Sequence, residues 1–379
     1  MAKHLLLVGG GHAHMVTLAN LRVFIDNGHK VTVVGPSPYH YYSGMGPGML
    51  GKTYAPDDIR FFTQQAVEKQ GGNFILGKAA RIDPEGREMI LESGETVPYD
   101  VLSFNVGSYV PETRIMGTAR DVFAVKPIEK LIDAQTRILE LASRKKIAIG
   151  IVGGGPSAAE IAGNVWRLAQ DYGQKKPGIR IFAGKDFMSK FPVGVKKRIS
   201  RSLKRRGIEI FESGYVEKIK TNEIILESGE SYNADVIFLA VGVNPSPIFK
   251  ASDLPMGPDG GLLVNQYLQC TEYPEIFGGG DCIYFKNQPL DKVGVYAVRE
   301  NPVLYHNLMA QIEGRALQSF DPSPDYLLVF NMGDGTGVLH KRWLTFDGRL
   351  AFKIKDYIDR KFINTFQQIE KKVTVKLFR

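Results

Sequence analysis

Two glycine-rich turns carry the residues best suited to chemistry. Gly9-Gly10-Gly11-His12-Ala13-His14 follows the apolar run His4–Val8, and Gly153-Gly154-Gly155-Pro156-Ser157-Ala158 follows Ile147–Val152. An apolar strand, a glycine turn and a helix make up the phosphate-binding end of a dinucleotide-binding βαβ unit. Gly9 permits the tight turn, Gly11 lets the backbone approach the phosphates, and the helix from about Ala13 aims its free N–H groups at the anion. Gly153 and Gly155 repeat this in the second turn. Pro156 there removes an N–H at the helix start, where it is least missed, and Ser157 stands beside it. Two such turns imply two dinucleotides and electron movement between them.

Both turns depart from the usual pattern. His14 occupies the third position, where Gly or Ala is usual, so looser helix–strand packing or an altered phosphate approach is expected. The strand Val31–Val34 runs into Gly35-Pro36-Ser37 with no acid for the ribose, which leaves Ser37 or backbone groups to hold it. After the second turn the chain reads Phe182-Ala183-Gly184-Lys185. A small residue and Lys185 suit the 2′-phosphate of NADP, unless nicotinamide binding there is weak or lost. Glu160 lies in the first turn of the second helix, where a carboxylate complements the helix dipole.

The elements that must position these residues alternate as in an α/β protein. His14–Asn27 has helical spacing, Gly28 suits its stop, and Val31–Val34 completes the first unit. A glycine- and tyrosine-rich loop follows over 36–51, then short strands ending at Val101–Asn105 and Gly107. Pro127 opens a helix running to about Ser143. The second unit ends at Asp235–Leu239 and Gly242. Val97–Gly107 echoes Tyr232–Gly242, and each lies a comparable distance after a glycine turn. The chain therefore reads as an internal duplication.

Further motifs resemble those of a known group. Thr271–Asp281, ending Gly278-Gly279-Gly280-Asp281, resembles the second FAD fingerprint of two-dinucleotide-domain flavoproteins. The whole pattern resembles the type II NADH dehydrogenase and sulfide:quinone reductase group. Within it the chain resembles the branch sometimes fused to selenophosphate synthase, through Gly9–His14, Tyr42–Gly48, Val295–Arg299 and Lys355–Phe362. This implies two Rossmann-like domains, non-covalent FAD at the first turn and NADH or NADPH at the second. It implies that Gly280 and Asp281 hold the flavin ribityl chain. A helix opening at Val295 and Tyr296 would face the flavin ring, with Glu160 at the flavin–nicotinamide contact and Lys126 beside the flavin. The expected domains are 1–111 and 244–320 for FAD, 112–243 for the nicotinamide dinucleotide and 321–379 as a C-terminal α+β segment. The expected activity is hydride transfer from NAD(P)H to flavin, then electrons to a quinone-like acceptor. Alternatives are a sulfide- or selenium-oxidising flavoprotein and a flavin redox sensor. The loop over 39–51 holds no cysteine, which argues against a thiol–disulfide relay. At the two glutamine positions of the quinone site stand Val295 and Arg299.

The bulk figures fit this reading. Hydrophobic residues at 44% and charged residues at 23% suit a soluble globular chain of 379 residues. The net charge of +8 suits anionic ligands or an anionic lipid surface. No nucleic-acid module is recognisable and no metal site is expected. Two cysteines, Cys270 and Cys282, suit a reducing compartment. No signal peptide is read, and no apolar run reaches the ~18 residues of a spanning helix. A cytoplasmic location follows, with peripheral attachment to the inner face of the membrane in view. Phe352–Ile369 reads as an amphipathic helix with Ile354, Tyr357, Ile358, Phe362, Phe366 and Ile369 on one face. Lys353, Lys355, Arg360, Lys361, Lys371 and Lys372 surround it. Such a helix suits a bilayer interface, docking on the flavin domain, or a homodimer contact.

Overall fold

The computed structural model describes residues 1–111, 120–172 and 176–371, so Lys372 lies outside them. Two five-stranded parallel sheets form its centre. Their central strands are largely apolar and buried, as strands covered on both faces must be, while the edge strands Asn73–Leu76 and Glu209–Phe211 are only partly covered. In the first sheet the order is Ile276–Gly278, Val101–Phe104, His4–Val8, Lys30–Gly35 and Asn73–Leu76. In the second it is Val122–Ala124, Val236–Leu239, Ala148–Val152, Gly178–Phe182 and Glu209–Phe211. The two echo segments occupy the same place in each sheet, beside the strand that leads into the glycine turn. Each sheet is accompanied by a three-stranded antiparallel one, 79–98 in the first module and 216–233 in the second. The duplication is one of architecture, with an outer strand recruited differently in each copy.

That outer strand matters for the site. Ile276–Gly278 pairs in parallel with Leu102–Phe104. A segment far along the chain is thereby delivered next to the N-terminal glycine turn. Register fixes the convergence: Val8 lies opposite both Val34 and Phe104. The loops leaving these strands therefore emerge together at one end of the sheet, where ligands bind in open α/β folds.

Three expectations about elements change. The helix expected over 14–27 is two short ones, Met15–Ala19 and Leu21–Asp26. Gln70 breaks it: its side chain donates to Leu18 O at 2.6 Å and accepts from Arg22 N–H at 3.3 Å. A side chain inserted into the backbone ladder is a standard cause of a kink. The helix expected from Pro127 starts at Lys130, because Pro127–Glu129 form a tight turn with Lys130 N–H bonded to Pro127 O.

The third change concerns the C-terminal segment. Leu328–Asn331, Gly337–Lys341 and Leu344–Gly348 form an antiparallel sheet, followed by the helix Arg349–Lys371. The sheet docks on the second module through Arg198–Asp347 at 2.9 Å and Arg206 donating to Met332 O at 2.5 Å. The helix docks on the first module, where Gln367 donates to Asp57 O and Arg60 O. Its buried stripe is Ala351, Asp359, Ile363, Phe366 and Ile369, while Tyr357 and Ile358 are exposed. The apolar face expected from sequence is therefore rotated. The reason is that Lys355 and Asp359 enter the packed face as a pair at 2.7 Å.

Candidate functional site

A cavity of about 340 Å³ runs along the ends of the first sheet's strands. Gly35, Ser37 and Phe74 line one end, the turn Gly9–His12 its middle, and Lys126, Asp281 and Gly294 the other end. Gly107 and Gly280 also line it. Ser37 already accepts the Tyr39 N–H at 3.1 Å, and its hydroxyl proton is still available.

Asn105 builds the glycine turn from beneath. Its side chain accepts the Ala13 N–H at 3.1 Å and donates to Gly279 O at 2.6 Å. A Cβ on Gly9 would lie 2.3 Å from Asn105 O, and one on Gly11 2.1 Å from its Oδ1. Gly9 also has φ of +88°, a conformation that favours glycine. Gly11 is thus demanded by Asn105 beneath the turn, a packing reason for glycine beside the expected one. In the second turn Ala240 takes the place of Asn105, and a Cβ on Gly155 would meet nothing within 4 Å. There the glycine does leave open space.

His14 also differs from expectation. It is fully buried, with Nδ1 2.6 Å from Gly9 O and Nε2 2.8 Å from Ser103 Oγ. A carbonyl only accepts, so Nδ1–H donates to Gly9 and Nε2 accepts from Ser103. Burial pulls its pKa down to about 4. The imidazole fills the helix–strand interface as a satisfied bridge and does not line the cavity. Close packing falls to Ala13, whose Cβ lies 2.7 Å from the Cβ position of Gly279.

At the far end Asp281 is nearly buried. It accepts from Lys126 Nζ at 2.6 Å and Ser108 Oγ at 2.8 Å. Burial pushes its carboxyl up, but the Lys126 charge and these hydrogen bonds outweigh it and hold it below the usual range. The helix Gly294–Glu313 sends Gly294 and Ala297 to the cavity. Val295 does not line it, and Tyr296 packs edge-on against Tyr326 at 5.6 Å. Deeper in this helix Glu300 accepts the Gly280 N–H at 2.5 Å, and Asn301 donates to His12 O at 2.6 Å. Sequence reading missed Asn105, Ser108, Glu300 and Asn301. Only Asn105 left a trace, as the polar mismatch to Ala240 in the echo.

The second turn is arranged differently. Pro156 opens the helix Pro156–Tyr172, Ser157 is exposed on its first turn, and Gly153 has φ of +140°. Gly154 O accepts the Met188 N–H at 2.7 Å. Ala183, with no acid, follows the strand Gly178–Phe182, and Lys185 is exposed with Nζ 5.9 Å from the ring of Tyr215. Gly242 has φ of +99°. Glu160 does not line the cavity. Its carboxylate accepts the Asn331 N–H at 2.7 Å, and burial raises its pKa against the opposing charge of Lys355. Lys355 donates to Gly44 O at 2.8 Å, and Asp359 accepts from Tyr42 at 3.1 Å. The C-terminal helix thus ties the loop beside the cavity to the helix of the second turn. Both cysteines are free and buried. Burial pushes the Cys282 thiol up to about 12.

The family described as pyridine nucleotide-disulphide oxidoreductase matches residues 3–311. The chain is 23% identical to the type II NADH:quinone oxidoreductase of Staphylococcus saprophyticus, with 95% of each chain covered. Its fold matches the sulfide:quinone oxidoreductase of Aquifex aeolicus at a TM-score of 0.80 and 19% identity, covering 97% of this chain and 92% of that one. It matches NDH2 from Plasmodium falciparum, solved in complex with NADH, at 0.81 and 13%, covering 98% and 97%. These likenesses establish the fold of two Rossmann-like modules.

Proposed function

The chain belongs to the pyridine nucleotide-disulphide oxidoreductase family, and from that premise we propose that it is an FAD-dependent NAD(P)H dehydrogenase with a quinone-like acceptor. Membership implies a flavin and a nicotinamide substrate. The observation that carries the finer reading is the cavity running from Gly35 past the glycine turn to Asp281. Its residues fit an extended dinucleotide: glycines at the middle, a carboxylate at one end, and a helix start beyond it. On this reading residues 1–111 and 244–320 form the FAD domain, 112–243 the nicotinamide domain, and 321–379 the C-terminal segment.

Bound FAD would supply the redox chemistry, taking a hydride from the nicotinamide and returning two electrons to the acceptor. The chain's part is to bind, orient and tune. Asp281, kept ionised by Lys126, would accept a hydrogen bond from the ribityl chain. The start of the helix at Gly294 would present its positive end to the ring. Lys126, in the same cavity wall, would stand beside the flavin. At the second turn Gly155 leaves room for the backbone to meet a diphosphate. Ala183 places no acid against a 2′-phosphate, and Lys185 offers it a charge, so NADPH is preferred to NADH. The quinone acceptor is read from the relatives named for it. The buried cysteines offer no thiolate for sulfide oxidation. The branch sometimes fused to selenophosphate synthase is proposed on the motifs alone.

No helix among the described residues is long and apolar enough to cross a membrane. Trp343, Leu344, Leu350, Tyr357 and Ile358 are exposed on the C-terminal hairpin and helix. With exposed Lys341, Arg342 and Lys353 they make a basic, apolar face suited to an anionic bilayer interface on the cytoplasmic side.

Anaerobic titration with NADPH and NADH, followed by flavin absorbance, tests the activity. Bleaching by a nicotinamide and recovery on adding a quinone is the expected result. Purified protein that neither retains nor takes up flavin, or flavin unmoved by either nucleotide, would overturn it.

A further inference from the structure

Two carboxyl groups flank one turn of the first module, and only one of them has a cation. Asp281 holds Lys126 at 2.6 Å. Glu300 stands behind the same turn, 1% exposed, with Oε2 on the Gly280 N–H. A Cβ on Gly279 would lie 3.1 Å from that oxygen. Gly280, Asp281 and Ala297 line the cavity and Glu300 does not, so its carboxyl lies behind the backbone of the wall. Among the described residues its hydrogen bond comes from that neutral N–H. Lys292, just before the helix, is committed to Asp259 at 2.8 Å and to Ile283 O.

A lone buried carboxylate is costly, and such a group takes up a proton instead. Burial raises Glu300 to about 7 against the Gly280 hydrogen bond, with Asp281 raising it further and Lys292 opposing. The helix packs mainly against His12–His14, Met15–Ala19, Val101–Phe104, Ile276–Gly278 and Gly280–Cys282. The ionisable groups on those elements are His12, His14, Asp281 and Cys282. Burial holds both imidazoles neutral, with pKa values of about 4, and pushes the thiol up to about 12. Asp281 is held ionised. Of these four and Glu300, only Glu300 titrates near neutrality.

A dinucleotide brings the negative charge of its diphosphate, and filling the cavity removes water from the wall. Both changes favour the uncharged carboxyl. We infer that Glu300 is a proton-linked positioning residue, which takes up a proton from solvent when the first module's dinucleotide site fills and returns it when the site empties. The inference rests on the reading that this dinucleotide is FAD. The linkage acts through the turn, with no contact between Glu300 and the ligand. Protonated or ionised, Glu300 keeps an oxygen on the Gly280 N–H, so the turn bearing Asp281 holds its shape while the charge behind it changes. Asn301, next on the helix, donates to His12 O and accepts the Val16 N–H, so one helical turn braces both turns of the site. The carboxyl has the higher pKa in the loaded protein. FAD is therefore held tightest below about 7, and its affinity falls as pH rises from there through the loaded value.

Calorimetric titration of flavin-free protein with FAD near pH 7.5, in buffers of different ionisation enthalpy, tests it. Wild type should take up about half a proton per FAD bound, and its Kd should rise about fivefold from pH 6 to 8.5. Glu300→Gln, uncharged at every pH, should take up less than about a tenth of a proton and keep its Kd within about twofold over that range. A role in shape alone would change Kd equally at both pH values and leave the proton count as in wild type. Independently of any variant, the wild-type infrared difference spectrum, loaded minus flavin-free at pH 7.5, should gain a protonated-carboxyl C=O band. FAD uptake by wild type without a proton, the same proton count in Glu300→Gln, or no such band would overturn the linkage alone. Wild-type protein that takes up no FAD would overturn the proposed function as well.

Discussion

At the scale of single residues, the first module depends on a few buried polar side chains that join distant pieces of chain. Asn105 links the glycine turn to Gly279 through two buried hydrogen bonds. Asn105→Ala leaves both partners unpaired and should cost about 2 to 3 kcal/mol in denaturant unfolding of the flavin-free protein. A loss under about 0.5 kcal/mol would contradict that role. Glu300 makes a pH-dependent contribution. Burial raises its carboxyl from an ordinary 4.5 to about 7 despite the hydrogen bond from Gly280. A raised folded pKa means its contribution is full at low pH and lost as pH rises through about 7. The whole effect is at most roughly 3 kcal/mol. Glu300→Gln keeps an acceptor for Gly280 without charge. Its Tm should change less between pH 5 and 8 than that of wild type, and should match or exceed wild type at pH 8. A variant that loses stability at pH 8 would mean the ionised carboxylate is favoured.

At the scale of elements, the contact between the second module's helix and the C-terminal sheet is set by backbone proximity. A Cβ on Gly163 would lie 2.3 Å from Met332 O. Helix propensity alone favours Gly163→Ala by about 1 kcal/mol. The clash with backbone should reverse the sign and leave a net loss of about 1 to 2 kcal/mol, measured by urea unfolding. A stabilised variant would show that the sheet yields. The C-terminal helix is anchored through Lys355, which stays protonated because Asp359 and Glu160 offset its burial. Lys355→Met strands two buried acids and should cost about 3 kcal/mol. Protease cleavage after Lys353 should then outpace global unfolding, and unchanged cleavage would count against the anchoring.

At the scale of the whole molecule, two modules of one design are proposed to hold different dinucleotides. The proposed preference for NADPH makes a clear demand. Ala183→Asp combined with Lys185→Ala should shift the NADH/NADPH ratio of kcat/KM toward NADH by about tenfold or more. A ratio that stays put would remove Lys185 from nucleotide recognition. Much of this design is legible in residue order. Strand–glycine–helix periodicity, the echo of Val97–Gly107 in Tyr232–Gly242, and the Gly280-Asp281 fingerprint are local patterns, and local backbone physics writes them directly into the chain. These determined the two-module architecture and the expectation of two dinucleotides. Contacts between residues far apart in sequence decided the rest. Gln70 broke a helix that periodicity made continuous. Asn105 claimed the space beside Gly11, and His14 became a core bridge. Lys355 and Asp359 turned the C-terminal helix by entering its buried face. In each case the outcome depended on which donor met which acceptor once the chain was packed. Pairing of that kind has no period along the sequence, so only the tertiary structure could decide it.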